Sequence, residues 1–162
     1  MMLRLIAIVP MMILVFAGEY FAGPAWGGEL VLKKEPLFDR GLNQSGGSCE
    51  GWFTVPDGKD VPDLRDFQYY FCEGFYSFHL DGSAGTEVTL FGEFFFGKGQ
   101  GFLSLKKMDD RRVWILDLEK FPPNRWTSVE TSPDTGAYEV YYHPAPAFEK
   151  NISSIKWGAF SG

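Results

Sequence analysis

The sequence predicts an all-β fold, an antiparallel β-sandwich or closed barrel of about eight strands with one short helix. Two observations carry this expectation. Aromatic residues make up 17% of the chain, beside 19 Gly and 10 Pro, a composition that favours strands and tight turns over helices. Apolar and polar residues also alternate with a period of two between turn signals, as half-buried strands require.

The N-terminus reads as a targeting segment and not as fold. Met1 to Arg4 brings one positive charge, Leu5 to Ala17 is almost wholly apolar, and Phe21 to Gly28 is rich in Ala and Gly, the order of a secretory signal peptide. The apolar run is about 13 residues long and is interrupted by Pro10, whereas a membrane-spanning helix needs about 20. Small residues in Ala25-Trp26-Gly27 suit cleavage after Gly27. The expected organisation is a signal peptide over 1–27 and a single β-rich domain over 28–162, periplasmic or extracellular, with no transmembrane anchor after processing. About 135 residues suffice for one core. The net charge of −6 argues against nucleic acid as a partner.

Two cysteines, Cys49 and Cys72, follow the signal. In an oxidising compartment the simplest reading is a disulfide, closing a loop of roughly 24 residues and worth about 3 kcal/mol in the chain-entropy model. A zinc site built with His79 and His143, the two histidines of the chain, matches none of the compact ligand spacings. No metal and no cofactor are expected.

Along the chain, Leu30 to Lys33 reads as a first strand, and Trp52 and Phe53 precede the turn Pro56-Asp57-Gly58. Asp60-Val61-Pro62-Asp63 carries a helix-start signal, an acid before a proline in the first turn, so a two-turn helix is expected through Phe67. Tyr76, Phe78 and Leu80 alternate with Ser77 and His79 and lead through Asp81 to Gly85 into Thr86 to Phe91, a hairpin pattern. Leu103 and Leu105 begin a second apparent hairpin whose tip is Met108 to Arg112. Val113 to Phe121 follows, with Trp114, Leu116 and Leu118 assigned to one face. Trp126 to Thr131, Tyr138 to His143 and Ile152 to Trp157 complete the series.

Several groups are candidates for chemistry. The glycines at 92, 97, 99 and 101 precede a strand and not a helix, so a bulged turn with positive φ suits them better than a phosphate loop. Asp117 and Glu119, about 7 Å apart on an ideal strand, are the pair that a glycan hydrolase would use. Asp109-Asp110-Arg111-Arg112 could hold calcium or an anion. Asn151 to Trp157 resembles the last strand of a βγ-crystallin motif. Glu149 and Lys150, however, stand where that family places Asn or Asp, and its companion aromatic signature is missing around Phe91 to Gly101.

Aromatics are the dominant feature. Phe94-Phe95-Phe96 and Tyr141-Tyr142 are consecutive, so in a strand one member of each run must face away from the core. Exposed aromatics on a rigid sheet form platforms for sugars or anchors for proteins. The expected function is therefore an exported, non-enzymatic binding or assembly module, with Phe94, Phe95, Tyr141 and Tyr142 as ligand-binding residues. Its partner would be a glycan, a small apolar ligand or an envelope protein. The alternatives are an envelope glycan hydrolase using the paired carboxylates, and a small-ligand carrier of barrel type.

Overall fold

The computed structural model describes residues 27–36, 52–65 and 74–160. Cys49, Cys72 and nearly all of the expected signal peptide lie outside the described residues, as does the end of the expected helix. Among the described residues, nine strands form two antiparallel sheets. They are β1 (Glu29–Pro36), β2 (Trp52–Pro56), β3 (Gly74–Leu80), β4 (Glu87–Phe91), β5 (Phe102–Lys107), β6 (Val113–Ile115), β7 (Trp126–Val129), β8 (Tyr138–His143) and β9 (Ser154–Trp157). The four-stranded sheet has the order β2-β1-β3-β6 and the five-stranded sheet β7-β8-β5-β4-β9. Each sheet keeps its own two edges, so the fold is not a closed barrel. Among the described residues, no helix is long and apolar enough to cross a membrane.

Both sheets feed one apolar cluster. Leu30, Leu32, Phe78, Leu80, Val113 and Ile115 come from the first, and Val88, Leu90, Leu103, Leu105, Val140 and Ile155 from the second; all are essentially inaccessible. The period of two explains this directly, because alternate residues of each strand point to the same face. Lys107 is also fully buried. Its ammonium is held by the carbonyl oxygens of Arg111 and, at 3.5 Å, of Leu80. Burial pulls its pKa below the ordinary lysine range.

Three local expectations are corrected. Neither apparent hairpin pairs with itself: β3 bonds to β1 and β6, while β4 bonds to β5 and β9. The turns after Leu80 and Lys107 therefore carry the chain from one sheet to the other. Secondly, the strand starting at Val113 ends at Ile115. Val113 and Ile115 are the inward residues, and Leu116 is 72% exposed.

The third correction concerns the helix. Val61 forms an antiparallel bridge with Ile155, donating to its carbonyl and accepting from its N–H at 2.8 Å each, and the Leu64 N–H donates to Ser153. The Asp60 carboxylate accepts the N–H of Trp157 at 2.8 Å instead of capping a helix. The segment thus runs along the outer edge of β9, and pairing with a sheet edge overrides the local helix signal.

Candidate binding surface

Residues opposite one another across an antiparallel ladder share a face. Across the five-stranded sheet, Trp126 faces Tyr141, Tyr141 faces Ser104, Ser104 faces Thr89, and Thr89 faces Lys156. This row lies on the side away from the core. The next row holds His143, Phe102 and Phe91.

These side chains form a continuous aromatic layer. The Tyr141 and Phe102 rings are nearly parallel, 12° apart with centroids at 5.8 Å, and Trp126 lies 5.6 Å from Tyr141. His143 stacks on Phe102 at 5.1 Å and is oriented by Asn124, whose Oδ1 is 2.6 Å from Nδ1. After β9 the chain turns at Gly158, whose φ of +91° is in the left-handed region that favours glycine. It lays Phe160 over the layer, 4.9 Å from Phe102 and 6.0 Å from Tyr141.

Beside Phe160 a cavity of about 160 Å³ opens above Thr89, walled by Phe91, Phe96 and Phe160 and flanked by Lys98 and Lys156. The ammonium of Lys98 sits 4.8 Å from the Phe160 ring and that of Lys156 sits 5.6 Å from Phe96. The loop between β4 and β5 supplies Phe96 and Lys98. It is closed by the Gly92 N–H donating to Gly101 at 2.9 Å, and it is pinned internally by the Glu93 carboxylate, which accepts from Gly99 at 3.0 Å. Of the glycines flagged for positive φ in this loop, only Gly101 adopts it. Phe95 and Phe96 adopt it too, at φ 55° and 63°. For bulky residues that is strain, held here by the Phe95 N–H donating to Pro62 and the Phe96 N–H donating to Ser154 Oγ.

The four ligand-binding residues expected from sequence do not come together. Tyr141 is part of the aromatic layer. Tyr142 points the opposite way, 4% exposed, against Phe148 in the core. Its hydroxyl pKa is pushed up to about 12, first by burial and then by the carboxylates of Glu119, Glu149 and Asp117. Phe94 is half-buried with the Arg65 guanidinium 4.7 Å over its ring, and Phe95 is 67% exposed. Neither lines the cavity. The residues missed were Trp126, Phe160, Lys98 and Lys156. The outward position of Trp126 was legible as an alternation shared with Ser128, but the return of Phe160 over the sheet leaves no mark in the local sequence.

The rival sites are placed as follows. Asp117 and Glu119 lie beyond the end of β6 and are both exposed. Asp117 Oδ1 accepts the Glu119 N–H at 2.9 Å, so the pair forms a turn and not a strand face. Each member of the 109–112 charge cluster already has an internal partner. Asp109 accepts from Arg111 and Ala137, Asp110 accepts from Ala84, Arg111 donates to Thr131, and Arg112 donates to Asp81. Comparison with known proteins finds no matching family model, no matching curated protein and no matching solved structure.

Proposed function

We propose that this chain is an exported, non-enzymatic binding module of β-sandwich architecture, and that it binds a glycan chain on the outer face of its five-stranded sheet. The observation that carries the reading is the layer on the outer face of the sheet, where the exposed Trp126 and the partly exposed Tyr141 and Phe160, backed by the buried Phe102, offer flat aromatic surface to the apolar faces of sugar rings. The cavity beside Phe160 is smaller than the few hundred Å³ of a drug-sized site, which suits one ring of a longer ligand. Packing of both sheets on one apolar cluster supports the sandwich. The signal-like N-terminus supports export.

The test is titration of the mature protein with soluble chito-oligosaccharides, cello-oligosaccharides and peptidoglycan fragments, followed by tryptophan fluorescence. Binding of one class, abolished by Trp126→Ala or Tyr141→Ser with the fold intact, supports the reading. Saturable uptake of an apolar dye with no response to any glycan would favour the carrier alternative. Glycan cleavage lost in Asp117→Asn would favour the hydrolase.

A further inference from the structure

Glu29 opens β1 and Asp81 directly follows β3. The Asp81 N–H donates to the Glu29 carbonyl at 2.9 Å, which extends the β1–β3 ladder by one pair and sets the two carboxylates opposite each other. His79 lies two residues before Asp81, so its side chain leaves the same face. As a result, one oxygen from each carboxylate and one imidazole nitrogen all lie within 4.8 Å of one another. Among the described residues, no other trio of metal-ligating groups is gathered in this way.

Two further features suit an occupant. His79 is only 8% exposed, yet its Nδ1 has no hydrogen-bond partner. Its Nε2 points at Asp81 Oδ2 from 3.8 Å, beyond hydrogen-bonding distance. A buried ring nitrogen left without a hydrogen bond, as Nδ1 is, is a costly arrangement. Like charges directly opposed across strands are also unfavourable. Arg112 hydrogen-bonds one of them, with Nε and Nη2 on Asp81 at 2.8 and 2.6 Å, and acts on Glu29 through its charge alone. Lys33, the other cation near His79, has its ammonium 5.1 Å over the Trp52 ring.

We propose that Glu29, His79 and Asp81 form a binding site for a first-row divalent cation of the zinc class, one imidazole nitrogen and two carboxylate oxygens serving as ligands and water completing the shell. A mixed nitrogen and oxygen set selects such ions over calcium and magnesium, which prefer oxygen alone. Bonds of 2.0–2.2 Å at tetrahedral angles place ligands about 3.4 Å apart, so the trio must contract by up to about 1.4 Å from separations within 4.8 Å. The half-exposed Glu29 side chain can supply that movement. Arg112 then acts behind the site, fixing the orientation of Asp81 while leaving it lone pairs for the ion.

The experiment is calorimetric titration of the metal-free protein with Zn²⁺, paired with the visible absorption of a Co²⁺ titration. The expected result is one ion per chain, with Co²⁺ bands of nitrogen and oxygen coordination. His143→Gln removes the other histidine and should leave binding unchanged, whereas His79→Gln and Glu29→Gln should each weaken it by about 10-fold or more. If His79→Gln fails to fold, Glu29→Gln, at a half-exposed position, decides the matter alone. Absence of binding would overturn the proposal. So would binding indifferent to these variants, or Co²⁺ spectra with the intense near-ultraviolet bands of thiolate ligation, which would place the ion at Cys49 and Cys72.

Discussion

The Thr89 hydroxyl donates to Ser104 Oγ at 3.0 Å, and both residues are 2% exposed although they lie on the face of their sheet that points away from the core. Thr89 lies at the floor of the cavity lined by Phe91, Phe96, Lys98 and the 158–160 segment, and Ser104 lies between Thr89 and Tyr141 in the same row. Ser104→Ala should leave the Thr89 hydroxyl buried without a partner and cost about 1–2 kcal/mol. Thr89→Val with Ser104→Ala should cost less than the two single changes summed. Urea denaturation of the four proteins measures the coupling, and strict additivity would mean that the two hydroxyls act independently.

Neighbouring tyrosines should behave oppositely. Tyr142→Ser empties a core position and should cost about 3–5 kcal/mol, whereas Tyr141→Ser, on the outer layer, should cost about 1 kcal/mol or less while abolishing glycan binding. Thermal melts beside binding titrations separate the two. Equal destabilisation by both would mean that the outer layer is a second core.

Phe95 is exposed and left-handed, which penalises a residue bearing a Cβ by about 1–2 kcal/mol. Phe95→Gly removes that penalty and adds about 0.4–1 kcal/mol of unfolded-chain entropy cost. The variant should be neutral or more stable by about 0.5 kcal/mol, as read from its urea midpoint. A clear loss of stability would show that the Phe95 ring makes contacts worth more than its strain.

Asp109 stitches the loop after β5 to the loop before β8, its carboxylate accepting the N–H groups of Ala137 at 2.9 Å and Arg111 at 3.0 Å. These bonds, that from Ala137 foremost, hold its pKa below the ordinary 3.8. Folding therefore favours the ionised carboxyl. The stabilisation is complete above the unfolded value and is lost as pH falls from about 4 through the folded value. Asp109→Asn should be less stable at neutral pH and should lose less stability on acidification from pH 4 to pH 3. Parallel curves for the two proteins would remove Asp109 from the acid response.

Strands were legible wherever one face meets the core, as in Leu103 and Leu105 or Tyr138 and Val140, because burial on one side imposes the period of two. Partners were not. The turns at Asp81 to Gly85 and at Met108 to Arg112 read as hairpin tips, and nothing local distinguishes a hairpin from a crossing between sheets. The bulk of Trp114 and Leu116 suggested an inward face, but the smaller Val113 and Ile115 fill the core and Leu116 is left exposed after the strand ends. Asp60 to Asp63 carries an authentic helix-start signal that loses to hydrogen bonds with β9, a partner some ninety residues away along the chain. The outer aromatic layer was only partly legible for the same reason. That one of the consecutive Tyr141 and Tyr142 faces outward follows from the strand pattern, whereas Phe160 joins the layer only through its return over a distant strand.

The bridge between Val61 and Ile155 also governs how copies of this protein can meet. With the β9 side of the five-stranded sheet occupied, a second chain seeking free backbone groups in this sheet finds, among the described residues, only β7, four residues long. Pro122 and Pro123 precede it and Pro133 follows it, so the stretch on which an intruding strand could zip up is short at both ends. An aromatic-rich sheet of this kind is the sort of surface from which fibrillar stacking starts. Growth of this sheet along the hydrogen-bonding direction is therefore blocked on one side and curtailed on the other.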